Sequence, residues 1–308
     1  MEQRRVAGTD IEVTRLGFGT WRTVADGAGA TAGMALLHRA HAHGIRFFDL
    51  ADVYAEGGAE RLFGTFLCEV PRRSLVVGTK VGLPVEGEVR GRGLGLGRDH
   101  VMRSIDASLR RLRTDFVDVF TCHREDPATP LAQVVATMTE VVRSGRARCW
   151  GTSHWSPQAL RRAHVLARAT GAEPPRVEQP GFSLLDRSAE AELLPACAEL
   201  GIAVTVHSPL AEGRLARAEP GADPRIERLG ALARGLGVEP AVLALAWTLA
   251  QPGIASVVVG ASRVEHLDAV ARAATLRVPA EVARQLDAVF TPRHRPRWLR
   301  WVRRLLRG

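Results

Sequence analysis

Short runs of apolar, β-branched and aromatic residues recur along the chain. Between them lie longer stretches in which apolar positions fall every third or fourth residue. The runs occupy 16–20, 46–50, 75–80, 117–122, 149–153, 177–180, 203–208 and 256–260, and each reads as a strand. Helical spacing fills 30–43, 59–68, 98–111, 131–144, 157–169, 189–200, 240–249 and 264–274. Punctuation supports several boundaries. Ser156-Pro157 is an N-cap followed by proline at the first helical position, and Gly44, Gly145 and Gly201 stand where helices end in left-handed residues. The strands are almost continuously apolar, as in a parallel sheet covered on its outside by helices. Eight strand–helix units in 308 residues favour a closed (β/α)8 barrel of the TIM type, an α/β fold forming one domain over 1–290. Outside the barrel, 4–14 reads as an N-terminal β-hairpin across one end, and 224–235 as an extra helix.

The formal charge of +9 suggests a nucleic-acid surface until it is located. Seven arginines and no acidic residue fall in 291–308, which leaves the body near +2 (9 − 7). A nucleic-acid partner is therefore not expected. The tail "RHRPRWLRWVRRLLRG" is basic and amphipathic: a helix after Pro296 gathers Trp298, Trp301, Val302, Leu305 and Leu306 on one side. Such a segment suits packing back at a pocket edge, contact with a protein or a second copy, an anionic membrane surface, or a disordered tail. Four widely spaced cysteines show neither zinc nor redox spacing, and no run of 18 apolar residues occurs, so the expected location is cytoplasmic. His38, His41 and His43 cluster without carboxylate or cysteine at ligand spacing, and no metal is expected.

The chain has one tyrosine, Tyr54, and one lysine, Lys80, while nearly every other cation is arginine. On a barrel, residues at the carboxyl ends of strands face the functional end. Asp49 closes the second strand, with Tyr54 just beyond it, Lys80 closes the third and His123 follows the fourth. A buried Asp–Lys pair or a lone strand-end histidine is often structural; four such groups at one end are more than packing requires. Tyrosine is a poor proton donor near pKa 10, and a neighbouring ammonium is expected to lower that value. A carboxylate would keep the ammonium charged, and histidine would orient a carbonyl oxygen. The set holds no nucleophile beside a base, and no side chain supplies a hydride. A nicotinamide would.

The motifs "RLGFGTW", "GIRFFDLADVYAEGGAERLFG", "VVGTKVG", "DFVDVFTCHRED", "RARCWGTSHW", "EQPGFSLLDR", "VTVHSPLAEGRL" and "VVVGASRVEHL" follow one another in this order. Over about 4–290 the chain thereby resembles the aldo-keto reductases. The resemblance implies a catalytic tetrad of Asp49, Tyr54, Lys80 and His123, with Tyr54 the acid. It implies NADPH, less often NADH, extended across the open end of the barrel, and an aldehyde, ketone or sugar carbonyl as substrate. Ser153 and Gln179 would hold the nicotinamide carboxamide, with His154 where the family usually has asparagine. Phe182, replacing a usual tyrosine, would stack on the ring. Gly19, Thr20, Trp21 and Asp49 would line the site, Trp21 as a pocket wall. Ser208, Pro209, Leu210 and Gly213 would pass over the pyrophosphate, with Ala211-Glu212 in place of a small-residue pair. Gly260, Ser262, Arg263 and His266 would meet the adenosine end, Arg263 as the 2′-phosphate partner that favours NADPH.

"FSLLDR" and the short loop "REDPATP" resemble the branch containing potassium-channel β-like subunits and microbial reductases. A short loop there leaves an open pocket, walled in part by the Gly-rich stretch 85–97. Arg124 or the tail arginines would favour an anionic substrate. The other readings are a sugar or alcohol dehydrogenase working in the reverse direction, and a cofactor-binding regulatory subunit with little turnover.

Overall fold

Eight parallel strands close into a barrel in the computed structural model, which describes residues 1–21, 29–83, 95–217 and 223–291. A preceding hairpin pairs β1 (Gln3–Arg5) with β2 (Glu12–Thr14), Arg4 opposite Val13. The barrel strands follow as β3 (Leu16–Gly19), β4 (Phe47–Asp49), β5 (Val76–Val81), β6 (Val117–Cys122), β7 (Ala147–Ser153), β8 (Val177–Gln179), β9 (Ala203–Val206) and β10 (Ile254–Val259). Each neighbours the next, and β10 returns to β3 with Val257 opposite Leu16. Around them run α1 (Gly29–Ala42), α2 (Gly58–Leu67), α3 (Arg98–Leu112), α4 (Leu131–Arg143), α5 (Pro157–Thr170) and α6 (Leu193–Leu200). Then come α7 (Pro224–Gly235), α8 (Pro240–Leu249), α9 (Val264–Ala271) and α10 (Ala280–Val289).

Two buried clusters explain how the strands are used. Val77, Phe120, Cys122, Trp150, Val204 and Val206 point outward into the large core beneath the helices. Phe47, Val76, Val119, Cys149 and Val177 point inward, where Val6, Ile11 and Val13 of the hairpin region seal the amino-terminal end. Alternation along a strand then dictates the opposite end. Asp49 shares the face of Phe47, Lys80 that of Val76, His123 that of Val119, Ser153 that of Cys149 and Gln179 that of Val177. The apolar plug at the bottom thus fixes which polar side chains line the mouth.

Close contacts hold this arrangement. A Cβ on Gly17 would stand 2.6 Å from the Phe47 ring, so the first strand must be bare there. Ser156 caps α5 by accepting from the Ala159 amide at 3.2 Å, and Gly44, Gly145 and Gly201 take the left-handed backbone expected of them. Two features depart from the sequence reading. The expected helix 189–200 is a 3-10 turn at Ser188–Glu190 followed by α6, and α10, whose only fully buried side chain is Leu286, was not anticipated. The tail 292–308 and most of the Gly-rich stretch 85–97 lie outside the described residues. Among those described, no single helix is long and apolar enough to cross a membrane.

Candidate active site

Lys80 organises the open end of the barrel. It is 1% exposed, and its Nζ donates to Asp49 Oδ2 at 2.6 Å, to the Leu50 carbonyl at 2.8 Å and to Tyr54 Oη at 3.2 Å. Three donors on one ammonium thus meet three acceptors, so a buried charge is fully satisfied. Its strand is anchored from behind: Thr79 Oγ1 donates to the buried Glu60 at 2.6 Å, and Arg111 Nε reaches the same carboxylate at 2.6 Å. Tyr54 arrives on a tight turn after β4 in which Ala55, Glu56 and Gly57 all have positive φ. The His123 ring faces it edge-on, centroids 6.0 Å apart. Gln179 Nε2 donates to Asp49 Oδ1 at 2.9 Å, so both carboxylate oxygens of Asp49 are engaged.

Burial disfavours charge on Lys80, but Asp49 and Tyr54 outweigh it and hold its pKa above the ordinary value. Tyr54 goes the other way from the sequence expectation. Its burial raises the phenol pKa more than the Lys80 ammonium lowers it, so the hydroxyl keeps its proton at neutral pH. Burial, followed by the charges of Lys80 and Arg124, pushes His123 down to about 2. Its ring is neutral, and its Nδ1 is buried without a hydrogen-bond partner among the described residues.

The remaining expected positions gather at the same end, with one correction. Ser153 Oγ donates to the Gln179 carbonyl at 2.8 Å, and the Thr20 amide donates to the Asp49 carbonyl at 3.1 Å. Gly19 and Thr20 close β3, and Trp21 follows them 49% exposed. Phe182 is 1% exposed and stacks on Trp247 of α8, centroids 5.9 Å apart and planes 14° from parallel. It belongs to the outer core and is not available to a ligand. The ring at the mouth is His207, which the sequence reading passed over. It shares the inward face of Thr205, and its Nε2 lies 2.7 Å from His154 Nε2 while Nδ1 lies 3.1 Å from Ser208 Oγ. The signal was available, since 207 alternates with the outward Val206. Gly181 makes room for it: a Cβ there would lie 3.3 Å from His207 Cε1. His154 has a φ of 56°, a left-handed conformation that asparagine and histidine adopt more readily than most residues.

The donor set at the mouth suits a nicotinamide dinucleotide. At one end, the Ser153 hydroxyl meets Gln179, whose amide meets Asp49, the carboxylate paired with Lys80; a hydroxyl and an amide are the chemistry a carboxamide needs. Beyond β9, Ser208, Ala211, Glu212 and Gly213 all have positive φ across the turn that includes Pro209 and Leu210, with Glu212 exposed. Past Gly260, Ser262 and Arg263 are exposed at the start of α9, and Arg263 Nη2 lies 2.8 Å from His266 Nε2. A cation and a hydroxyl at that end suit a phosphate. The residues fit such a group at both ends.

The family model for the aldo/keto reductase family matches residues 15–290. The chain belongs to that family. Aldo/keto reductases generally catalyse NAD(P)H-dependent reduction of carbonyl groups. The chain is also 34% identical over 293 residues to a probable voltage-gated potassium channel subunit beta of Arabidopsis thaliana, covering 85% of this chain and 88% of that one. The corresponding protein of Oryza sativa subsp. japonica is 33% identical over 291 residues, with the same coverage of 85% and 88%. A putative subunit beta of Schizosaccharomyces pombe is 29% identical over 323 residues, 94% of each chain.

Proposed function

We infer that this aldo/keto reductase family member reduces an aldehyde, ketone or sugar carbonyl to the alcohol, with NADPH preferred to NADH. One observation carries the reading: a single buried ammonium, Lys80, touches both Asp49 at 2.6 Å and the Tyr54 hydroxyl at 3.2 Å. A bound nicotinamide would supply the hydride. Tyr54, protonated at neutral pH by virtue of its burial, gives its proton to the substrate oxygen as negative charge develops there. Lys80 stabilises the phenolate left behind, and Asp49 keeps Lys80 charged and aimed. His123 orients the same oxygen by hydrogen bonding; with a pKa near 2 it is not the proton source. In the reverse direction the phenolate accepts the proton of an alcohol or lactol. Ser153 and Gln179 would hold the carboxamide, and Ser262 and Arg263 the 2′-phosphate. The four free thiols, three of them buried, suit a reducing cytoplasm.

The potassium-channel names of the relatives favour a second reading, a nicotinamide-holding subunit of the short-loop branch with little turnover. The satisfied Lys80 network supports the enzyme. Titration with NADPH and NADH, followed by tryptophan fluorescence and then by a carbonyl screen, separates the two. Tight NADPH binding with turnover is expected. Binding without turnover of any carbonyl supports the subunit, and binding of neither dinucleotide contradicts both.

A further inference from the structure

Arg124 directly follows His123 where β6 gives way to the loop, and its side chain is exposed. Several surface arginines have found carboxylates: Arg98 pairs with Glu140, Arg146 with Asp106 and Arg161 with Glu199. Arg124 has no hydrogen bond or ion pair to any described residue. The two acids beside it are committed elsewhere. Glu125 accepts from the Ser156 amide and hydroxyl, both at 3.2 Å, and so is tied to the start of α5. Asp126 accepts from the Leu96 amide at 2.8 Å, the Ala128 amide at 2.9 Å and Thr129 Oγ1 at 2.6 Å.

The charge of Arg124 nevertheless reaches the site. Its backbone directly follows the buried His123 at the mouth, and its charge is felt at Tyr54, His123 and His207, which come from three different strand ends. Among the described residues, no carboxylate bonds to it. Asp49 is already matched by Lys80 at 2.6 Å. His123 and His207 are held neutral, chiefly by burial. Asp186, the acid felt by His207, accepts from the Ser188 amide at 3.1 Å and hydroxyl at 2.7 Å. A guanidinium at a cleft with no carboxylate bonded to it attracts anions and offers a carboxylate or phosphate a two-pronged contact.

We propose that the substrate carries an anionic group a few atoms from its carbonyl, and that Arg124 is the residue that selects it. The proposal rests on the reductase reading above and concerns which carbonyl compound that site accepts. It calls for matched pairs: 3- and 4-carboxybenzaldehyde against their methyl esters, and glyceraldehyde 3-phosphate against glyceraldehyde, each assayed with NADPH.

The wild type is expected to prefer the charged member of at least one pair by about tenfold in kcat/KM, the size of one charge-assisted contact at a partly exposed site. Whichever pair shows the larger ratio distinguishes carboxylate from phosphate. Arg124→Gln should bring the ratio to within about twofold, through KM for the charged substrate. Arg124→Lys should keep part of it, because lysine retains the charge without the fork. The preference should also shrink at about 0.5 M salt. Turnover of the neutral aldehydes by the same variants reports that they are folded. Equal use of charged and neutral members by the wild type, or an undiminished ratio in Arg124→Gln, overturns the proposal alone. No turnover of any aldehyde removes the reductase reading and this proposal with it.

Discussion

Glu178 offers a test that reaches the site from behind. It lies on β8 between Val177 and Gln179, facing outward into the core while its neighbours face the barrel axis. Its carboxyl is bonded to Thr152 Oγ1, and the Trp155 amide donates to Oε1 at 3.3 Å. No cation among the described residues offsets it, and burial pushes its pKa from 4.5 up to about 8. At neutral pH the folded protein holds this proton while the unfolded chain has released it. The folded state therefore binds more protons between the two pKa values. The stability contributed by Glu178 is fully present below 4.5 and is lost as pH rises toward about 8. At 1.36 kcal/mol per unit, the loss between pH 5 and pH 7 is roughly 2–3 kcal/mol. Glu178→Gln keeps the shape, donates to Thr152 and accepts from Trp155, but does not titrate. Urea unfolding of both proteins at pH 5 and pH 7 should show the variant gaining roughly 2–3 kcal/mol on the wild type between the two, with equal m-values. A constant difference at both pH values would refute the buried-acid account. Because Glu178 supports the backbone beside His154 without meeting a ligand, the variant should also keep its activity.

Other perturbations probe the packing and the charges. Gly64→Ala would place a Cβ 2.3 Å from the Arg111 carbonyl, forcing α2 from α3 at a cost of about 1–3 kcal/mol; an unchanged Tm would contradict this. Lys80→Met leaves the buried Asp49 carboxylate without its cation and should cost about 3–5 kcal/mol in denaturant titrations. Adding Asp49→Asn should restore part of that stability and none of the activity. Arg263→Ala should weaken NADPH about tenfold by fluorescence titration and leave NADH unchanged; equal loss for both would remove its role at the 2′-phosphate.

Much of this was legible in the sequence, for physical reasons that name particular residues. The barrel strands are apolar on both faces because one meets helices and the other meets the hairpin plug, so eight runs stood out. Asp49, Lys80 and His123 were legible as polar residues ending such runs. Part of the rest lay beyond the reach of periodicity. After Gln179 and Pro180 the chain leaves its strand, and nothing local says that Phe182 turns outward to meet Trp247, a contact 65 positions away (247 − 182). The net shift of Tyr54 depends on how much of the barrel covers it, which spacing cannot supply. The helix α10 and His207 were the avoidable omissions: Val282, Leu286 and Val289 fall at i, i+4 and i+7 and pack on the core, and alternation from Val206 puts His207 beside Thr205 at the mouth.

The most direct test of the central claim is Tyr54→Phe, with carbonyl turnover and dinucleotide binding measured on the same preparation. The phenyl ring keeps the packing against His123 and removes only the hydroxyl that Lys80 reaches at 3.2 Å. Loss of the general acid should lower kcat on the order of 10²–10⁴-fold, with the dinucleotide Kd and Tm essentially unchanged. Turnover equal to wild type in a variant that still binds its cofactor would contradict the assignment of Tyr54 as the proton donor.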